Sequence, residues 1–167
     1  VNEETIKAGA GSLAGAFGIQ DDLAVPYLVH MGTQEQKEKW LPGMATGEVL
    51  GALAMTEPGA GSDLRGIKTT AKKVDGGYLV NGAKTFITGG YWADRVIVCA
   101  RTDKAKPDDR RHGISLLIVD AKSEGYSVGR KLDKIGLRTS DTCELAFVDV
   151  KVPVTALLGE ADKGFSY

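Results

Sequence analysis

From Val49 onward the chain reads as seven short extended runs in succession: "EVLGALAMT", "IKTTAKKV", "YLVNGAKTFIT", "DRVIVCART", "GISLLIVDA", "YSVGRKL" and "CELAFVDVKV". They are rich in β-branched and apolar residues and are punctuated by "DGG" and "NG", the signature of strands joined by tight connections. The runs do not alternate with helical segments, which disfavours a doubly wound nucleotide-binding fold. An antiparallel barrel or sandwich of about seven strands is expected.

The opening third has a different period. From Glu3 to about Met44 the residues read as helix: "GSLAGAFGIQ" is small and apolar, and "TQEQKEKWLPGM" begins with Thr33 followed by Gln36 at capping-box spacing. Pro26 is expected to break or kink its helix, and Gly32 to mark the joint between two helices. The fold class is therefore α+β, N-terminal helices followed by the β unit. The boundaries are residues 1–48 for the helical part, 49–160 for the β-domain and 161–167 for the approach to another helix. The helical opening is too small for a core of its own, so a piece of a larger helix–β–helix protein is expected.

Charge and length exclude several functions. The 21 basic and 22 acidic side chains leave a net charge of -1 over 167 residues, so composition leads to no expectation of a polyanion-binding field, and nucleic acid is not an expected partner. No apolar run approaches the roughly 20 residues that span a bilayer, and "VNEETIKAG" lacks the basic and apolar regions of a signal peptide. A cytosolic or matrix compartment is expected. Cys99 and Cys143 sit singly among apolar neighbours, far from metal-ligand spacing, and are expected to be buried free thiols.

Two stretches carry candidate chemistry. "AMTEPGAGSD", Ala54 to Asp63, sets Pro58, Gly59 and Gly61 among carboxylates and hydroxyls. Glycine permits close approach of a ligand or positive φ, and N–H groups in such a loop can cradle a phosphate or a polar ring edge, with Thr56 and Ser62 adding hydroxyls. A tight interstrand turn is the plainer alternative. "GAKTFITGG", Gly82 to Gly90, places Phe86 and Thr88 two residues apart on one face of a strand, a pairing that suits a flat heterocycle with polar edges. A core aromatic and an interstrand hydrogen bond would account for the same residues.

Taken together, "GALAMTEPGAGSDLRGIKT", "LVNGAKTFITGG", "HGISLLIVD", "KLDKIGLRTSDTCELAFVDVKVP" and "ALLGEADKGF", preceded by "YLVHMGTQEQKEKWLPGMATGE", resemble the acyl-CoA dehydrogenase family in order and spacing. In detail they are most similar to its long-chain branch. The resemblance implies an enzyme of three parts, of which this chain holds the end of the N-terminal helical domain and the whole middle β-domain. It implies FAD as cofactor, lined by Leu53, Ala54, Met55, Thr56, Gly61 and Ser62 on one side and by Phe86, Ile87 and Thr88 on the other. The Thr88 hydroxyl is expected near the ring nitrogen that accepts hydride. Ser62 and His112 are expected to approach the acyl-CoA substrate. Two positions depart from the commonest family pattern, with Phe86 where tryptophan is usual and Gly89 where asparagine is usual. Phenylalanine keeps an aromatic face and loses an N–H.

The implied reaction is α,β-dehydrogenation of an acyl-CoA thioester in fatty-acid β-oxidation, with electron-transfer flavoprotein as acceptor and a homo-oligomer, dimer or tetramer, as the intact form. A bacterial cytoplasm or a mitochondrial matrix is the implied location. The family's glutamate base lies in the C-terminal helical domain, past Tyr167, so no catalytic residue is assigned within this chain, and Glu57 is expected to be structural. Among weaker candidates, Arg110 and Arg111 could meet CoA phosphates but belong to a charge-balanced run expected to form a solvated hairpin loop. His30 is weaker still, and Trp40 and Trp92 are expected to pack or to meet a neighbouring subunit rather than bind. Flavin oxidases, monooxygenases and a non-enzymatic binding module are the alternative readings.

Overall fold

The computed structural model describes residues 2–104, 106 and 108–167. Four α-helices open the chain: α1 (Asn2–Lys7), α2 (Gly11–Gly18), α3 (Val25–Met31) and α4 (Gln34–Thr46). Between α2 and α3 the backbone does not break at Pro26. Ile19–Ala24 instead form a π-helical turn, and Pro26 lies within the first turn of α3. A first-turn proline removes an N–H that a helix start leaves without an intrahelical partner. The expected break is thus a local widening of one continuous helical run. Gly32 is extended, and Thr33 starts α4 with a full capping box: Gln36 N–H donates to Thr33 Oγ1 at 3.2 Å and Thr33 N–H to Gln36 Oε1 at 2.9 Å.

All seven expected strands form, as β1 (Gly51–Ala54), β2 (Thr70–Val74), β3 (Gly77–Thr88), β4 (Arg95–Arg101), β5 (Ile114–Asp120), β6 (Tyr126–Lys131) and β7 (Thr142–Pro153). A two-residue β8 (Leu157–Leu158), too short for a periodicity to reveal, completes the sheet. Its order is β6-β7-β3-β2-β4-β5-β8, with β1 added onto β4. The ladders are antiparallel except for β1 with β4 and a single β2–β4 pair, Thr70 with Arg101. The "NG" of Asn81 and Gly82 lies inside β3, at a register shift opposite β7. Asn81 is tied there to Asp149 by two hydrogen bonds of 3.0 and 2.9 Å.

β4 and β5 are apolar on both faces because both faces are covered. Val96, Val98, Ala100, Leu117 and Val119 join one core with Val80, Leu145 and Phe147, whereas Ile97, Cys99, Leu116 and Ile118 join a second core with Leu28 of α3 and Met44 of α4. The helices are pinned to the sheet by side chains as well as by packing. Gln20 donates to the carbonyls of Met44 and Val49, both at 3.0 Å, and accepts from Gly51 N–H at 2.8 Å. Gln36 donates to the carbonyls of Thr155 and Leu157. Both cysteines are buried free thiols, and burial pushes each up to about 11. Residues 161–167 form turns and no helix, with Glu160 N–H donating to the Tyr167 hydroxyl at 3.0 Å. No helix among the described residues is long and apolar enough to cross a membrane.

Candidate functional site

The two candidate segments meet. β1 hydrogen-bonds β4 along one edge, and the chain leaving it passes beside β3, where Thr85 N–H donates to the Thr56 carbonyl at 2.9 Å. Leu53, Met55 and Thr56 are partly exposed and Ala54 is buried. Glu57 and Ala60 exchange both main-chain hydrogen bonds, at 2.9 and 3.1 Å, closing the turn around Pro58 and Gly59. Neither Gly59 nor Gly61 takes positive φ, and a Cβ at either would meet nothing within 4 Å. The protein's own backbone therefore does not demand glycine at these positions.

β3 ends in a bulge. Its pairing with β7 shifts register between Lys84 and Ile87, and Phe86 sits at φ 58°. A bulky side chain in the left-handed region is an outlier, and a bulge is the usual device for re-aiming a side chain. Here it leaves the Phe86 ring 66% exposed while Ile87 is 2% exposed in the core. Thr88 is half-buried, and its hydroxyl lies 3.1 Å from that of Thr142. Lys134 in turn donates to the Thr142 hydroxyl at 2.8 Å and to the Ser140 carbonyl at 2.7 Å. The three groups form a chain from an ammonium to an accessible hydroxyl, in which each bond polarises the next.

Behind both segments lies a buried ion pair. Lys84, 1% exposed, places Nζ 2.9 Å from Glu57 Oε1 and 2.9 Å from the Met55 carbonyl. Glu57, 7% exposed, also accepts from Lys68 N–H at 2.6 Å and Thr69 N–H at 3.0 Å. Burial raises the Glu57 carboxyl, but hydrogen bonds from Thr69, the Lys68 amide and Lys84 outweigh it and hold the group below its ordinary 4.5. Burial pushes the Lys84 ammonium down, against the opposing pull of Glu57. A carboxylate already bound to three donors is unsuited to take a proton from substrate, and this agrees with the structural role expected for Glu57.

The sign of that shift fixes a pH dependence. A carboxyl held below its unfolded value stabilises the fold above about 4.5 and loses that contribution as pH falls through the lower folded value. The melting temperature of the chain is therefore expected to drop on acidification below this range. In Glu57→Gln it should start lower at pH 7 and change less between pH 5 and pH 3, as followed by circular dichroism.

Ser62 is exposed and lines an open cavity of about 690 Å³ together with Arg65, Arg110, Arg111 and Phe165. Asp63 pairs there with Arg65 at 2.6 Å and more loosely with Arg110 at 3.7 Å, and Arg111 pairs with Asp109. The charge-balanced run is thus laced by its own ion pairs; Ala105 and Pro107 of it lie outside the described residues. His112 places Nε2 3.3 Å from Asp103 Oδ2, with Asp162 close by. His30 is exposed, Trp40 packs against the helix-side core, and Trp92 is 66% exposed.

Sequence reasoning passed over Lys84, Arg101, Lys134 and Thr142. Arg101 donates to the carbonyls of Ile67, His112, Arg65 and Arg110, at 3.0, 3.0, 2.6 and 3.1 Å, and so joins the turn after Ser62 to the β4–β5 hairpin.

Comparison with known proteins gives two matches to family models. Residues 1–48 match "Acyl-CoA dehydrogenase, N-terminal domain" and residues 52–150 match "Acyl-CoA dehydrogenase, middle domain". The mitochondrial long-chain specific acyl-CoA dehydrogenase of Mus musculus is 48% identical over 151 residues, covering 90% of this chain and 35% of the mouse protein. The crystal structure of an acyl-CoA dehydrogenase from Geobacillus kaustophilus superposes with a TM-score of 0.94 at 51% identity, covering 99% of this chain and 43% of that one. An FAD complex of PigA superposes at 0.87 with 32% identity, covering 93% and 40%. This chain thus spans little more than a third of the length of the mouse relative.

Proposed function

The chain belongs to the acyl-CoA dehydrogenase family, and on that premise we propose that it supplies the flavin-facing part of an FAD-dependent enzyme that desaturates acyl-CoA thioesters between their α and β carbons. The observation that carries this reading is the strained Phe86 bulge. It displays an aromatic ring beside the accessible end of a hydroxyl chain, against a strand whose main chain is drawn close by Thr85 and Lys84. Backbone strain at a bulky residue persists where function uses it. These residues fit a flat ring with polar edges. The FAD complex of PigA, on the same fold, supports the choice of group.

FAD held by these residues would supply a hydride-accepting ring. The protein's part is to hold and orient. Main-chain groups of Leu53, Ala54, Met55 and Thr56, the turn through Gly61 to Ser62, and Ile87 line the cofactor. Phe86 offers a stacking face. Thr88, backed by Thr142 and Lys134, donates to the edge that becomes electron-rich. Ser62, at the mouth of the open cavity, and His112, on the hairpin, are assigned to acyl-CoA. Glu57 is fully engaged and is not the proton-abstracting carboxylate, which the family reading assigns outside this chain. Electron-transfer flavoprotein as acceptor, a dimer or tetramer as the working form, and a bacterial cytoplasm or mitochondrial matrix as location follow from the same reading.

The test is Thr88→Val in a full-length enzyme carrying this segment. Valine keeps the shape and removes the donor, so stopped-flow reduction of the bound flavin is expected to slow by roughly 5- to 30-fold, with FAD affinity falling less. Thr88→Ser should restore most of the rate. A Thr88 that only satisfies Thr142 predicts instead a lower melting temperature with the reduction rate unchanged, and that outcome would overturn the reading. This chain alone, given FAD and octanoyl- or palmitoyl-CoA, is expected to show no dye reduction.

A further inference from the structure

The ion pair of Lys84 and Glu57 is placed for more than stability. Lys84 stands on β3, two residues before Phe86, and its ammonium reaches the Met55 carbonyl and Glu57 on the segment that leaves β1. Glu57 passes the restraint on to the amides of Lys68 and Thr69, at the start of β2. The neighbouring Thr85 N–H holds the Thr56 carbonyl. Three separate stretches, 55–57, 68–69 and 84–85, are thus joined at one buried point. Two of them run directly into the segments assigned to FAD.

We propose that Lys84, acting through the Met55 carbonyl and Glu57, is a positioning residue that fixes the spacing between the two cofactor-lining segments. This rests on the cofactor reading above. Buried charge is an expensive way to hold a sheet together, since apolar residues of equal volume serve as well or better. It is an effective way to fix a carbonyl and a carboxylate in direction as well as in distance, because hydrogen bonds are directional and packing is not. The bulge makes this useful. The β3–β7 ladder shifts register after Lys84 and resumes only with Ile87 opposite Cys143, so Thr85 and Phe86 fall outside its pairs and need another restraint toward the segment that leaves β1.

The test compares wild type with Lys84→Met and with the double variant Glu57→Gln/Lys84→Met. The double variant refills the volume with a neutral pair, in which the amide side chain at position 57 can accept from one of the Lys68 and Thr69 amides, the two having bonded different oxygens of Glu57. Its melting temperature should recover part of the way from that of Lys84→Met toward wild type. Amide hydrogen exchange of the apo chain should nevertheless remain at least about tenfold faster at Thr85 and across 55–57, with β4 and β5 unchanged. In a full-length enzyme carrying the segment, FAD affinity should be about tenfold lower, and the visible flavin spectrum should move toward that of free FAD. Wild-type exchange at 55–57 and Thr85 in the double variant would overturn the proposal, as would wild-type FAD affinity and spectrum. Failure of the wild-type enzyme to bind FAD would sink the cofactor reading and, with it, the proposed role.

Discussion

Lys84→Ala is expected to lower the stability of the folded chain by about 3–5 kcal/mol, the usual result of stripping one partner from a buried ion pair. For a chain of this size that corresponds to a fall in melting temperature of roughly 6–20 °C. Two effects combine. Glu57 keeps its two amide donors but loses its counter-charge at 7% exposure, and the shortened side chain opens a cavity in a site closed to solvent. Urea titration followed by circular dichroism gives the number. A loss below about 1 kcal/mol would mean that Glu57 is protonated or rehydrated in the variant and that the pair is not the closed unit described above.

Gly82→Val is expected to be comparably damaging, by about 2–5 kcal/mol, through a different mechanism. Gly82 has φ 150°, and a Cβ there would lie 2.5 Å from Thr69 Oγ1 and 2.7 Å from Thr69 Cα. The backbone of Thr69 cannot step aside, because its own amide is committed to Glu57. Strained dihedrals and forced overpacking each cost about 1–3 kcal/mol. Gly61→Ala, with open space around it and ordinary φ, should change stability by less than about 0.5 kcal/mol. Measuring both variants in one denaturation series separates glycines required by the fold from those left for a ligand.

The strands were legible because their covering is simple. "VIVCA" and "ISLLIV" are apolar on both faces because cores lie on both sides, and the Thr33–Gln36 capping box states its geometry in four residues. The π-turn ahead of Pro26 was not legible, since a proline announces a missing N–H without saying how the helix will absorb it. At the site, the pairing of Phe86 with Thr88 could be read from spacing. The bulge that exposes the ring could not, because it depends on how β3 meets a strand more than fifty residues away. Lys84 was hidden for a similar reason. A lysine between alanine and threonine looks like a solvated strand position until the fold brings Glu57 against it. His112 was read only as a residue that approaches the substrate, and its ring contact with Asp103, nine residues earlier, was not legible.

The β3–β7 ladder also imposes a schedule on synthesis. Its pairs run from Thr88 with Thr142 to Gly77 with Pro153, so β3 emerges from the ribosome with only the β2 hairpin to hold it and waits for 54 to 76 further residues. At about 5–20 residues per second that is roughly 3–15 s with one long apolar edge open. The main partner of the bulged strand thus arrives last but for the two-residue β8, and the Phe86 turn cannot be set until then. Such nascent chains gain most from lowered growth temperature and from chaperones that shield extended segments, and low yield in rapid expression would reflect this waiting time rather than weak final packing.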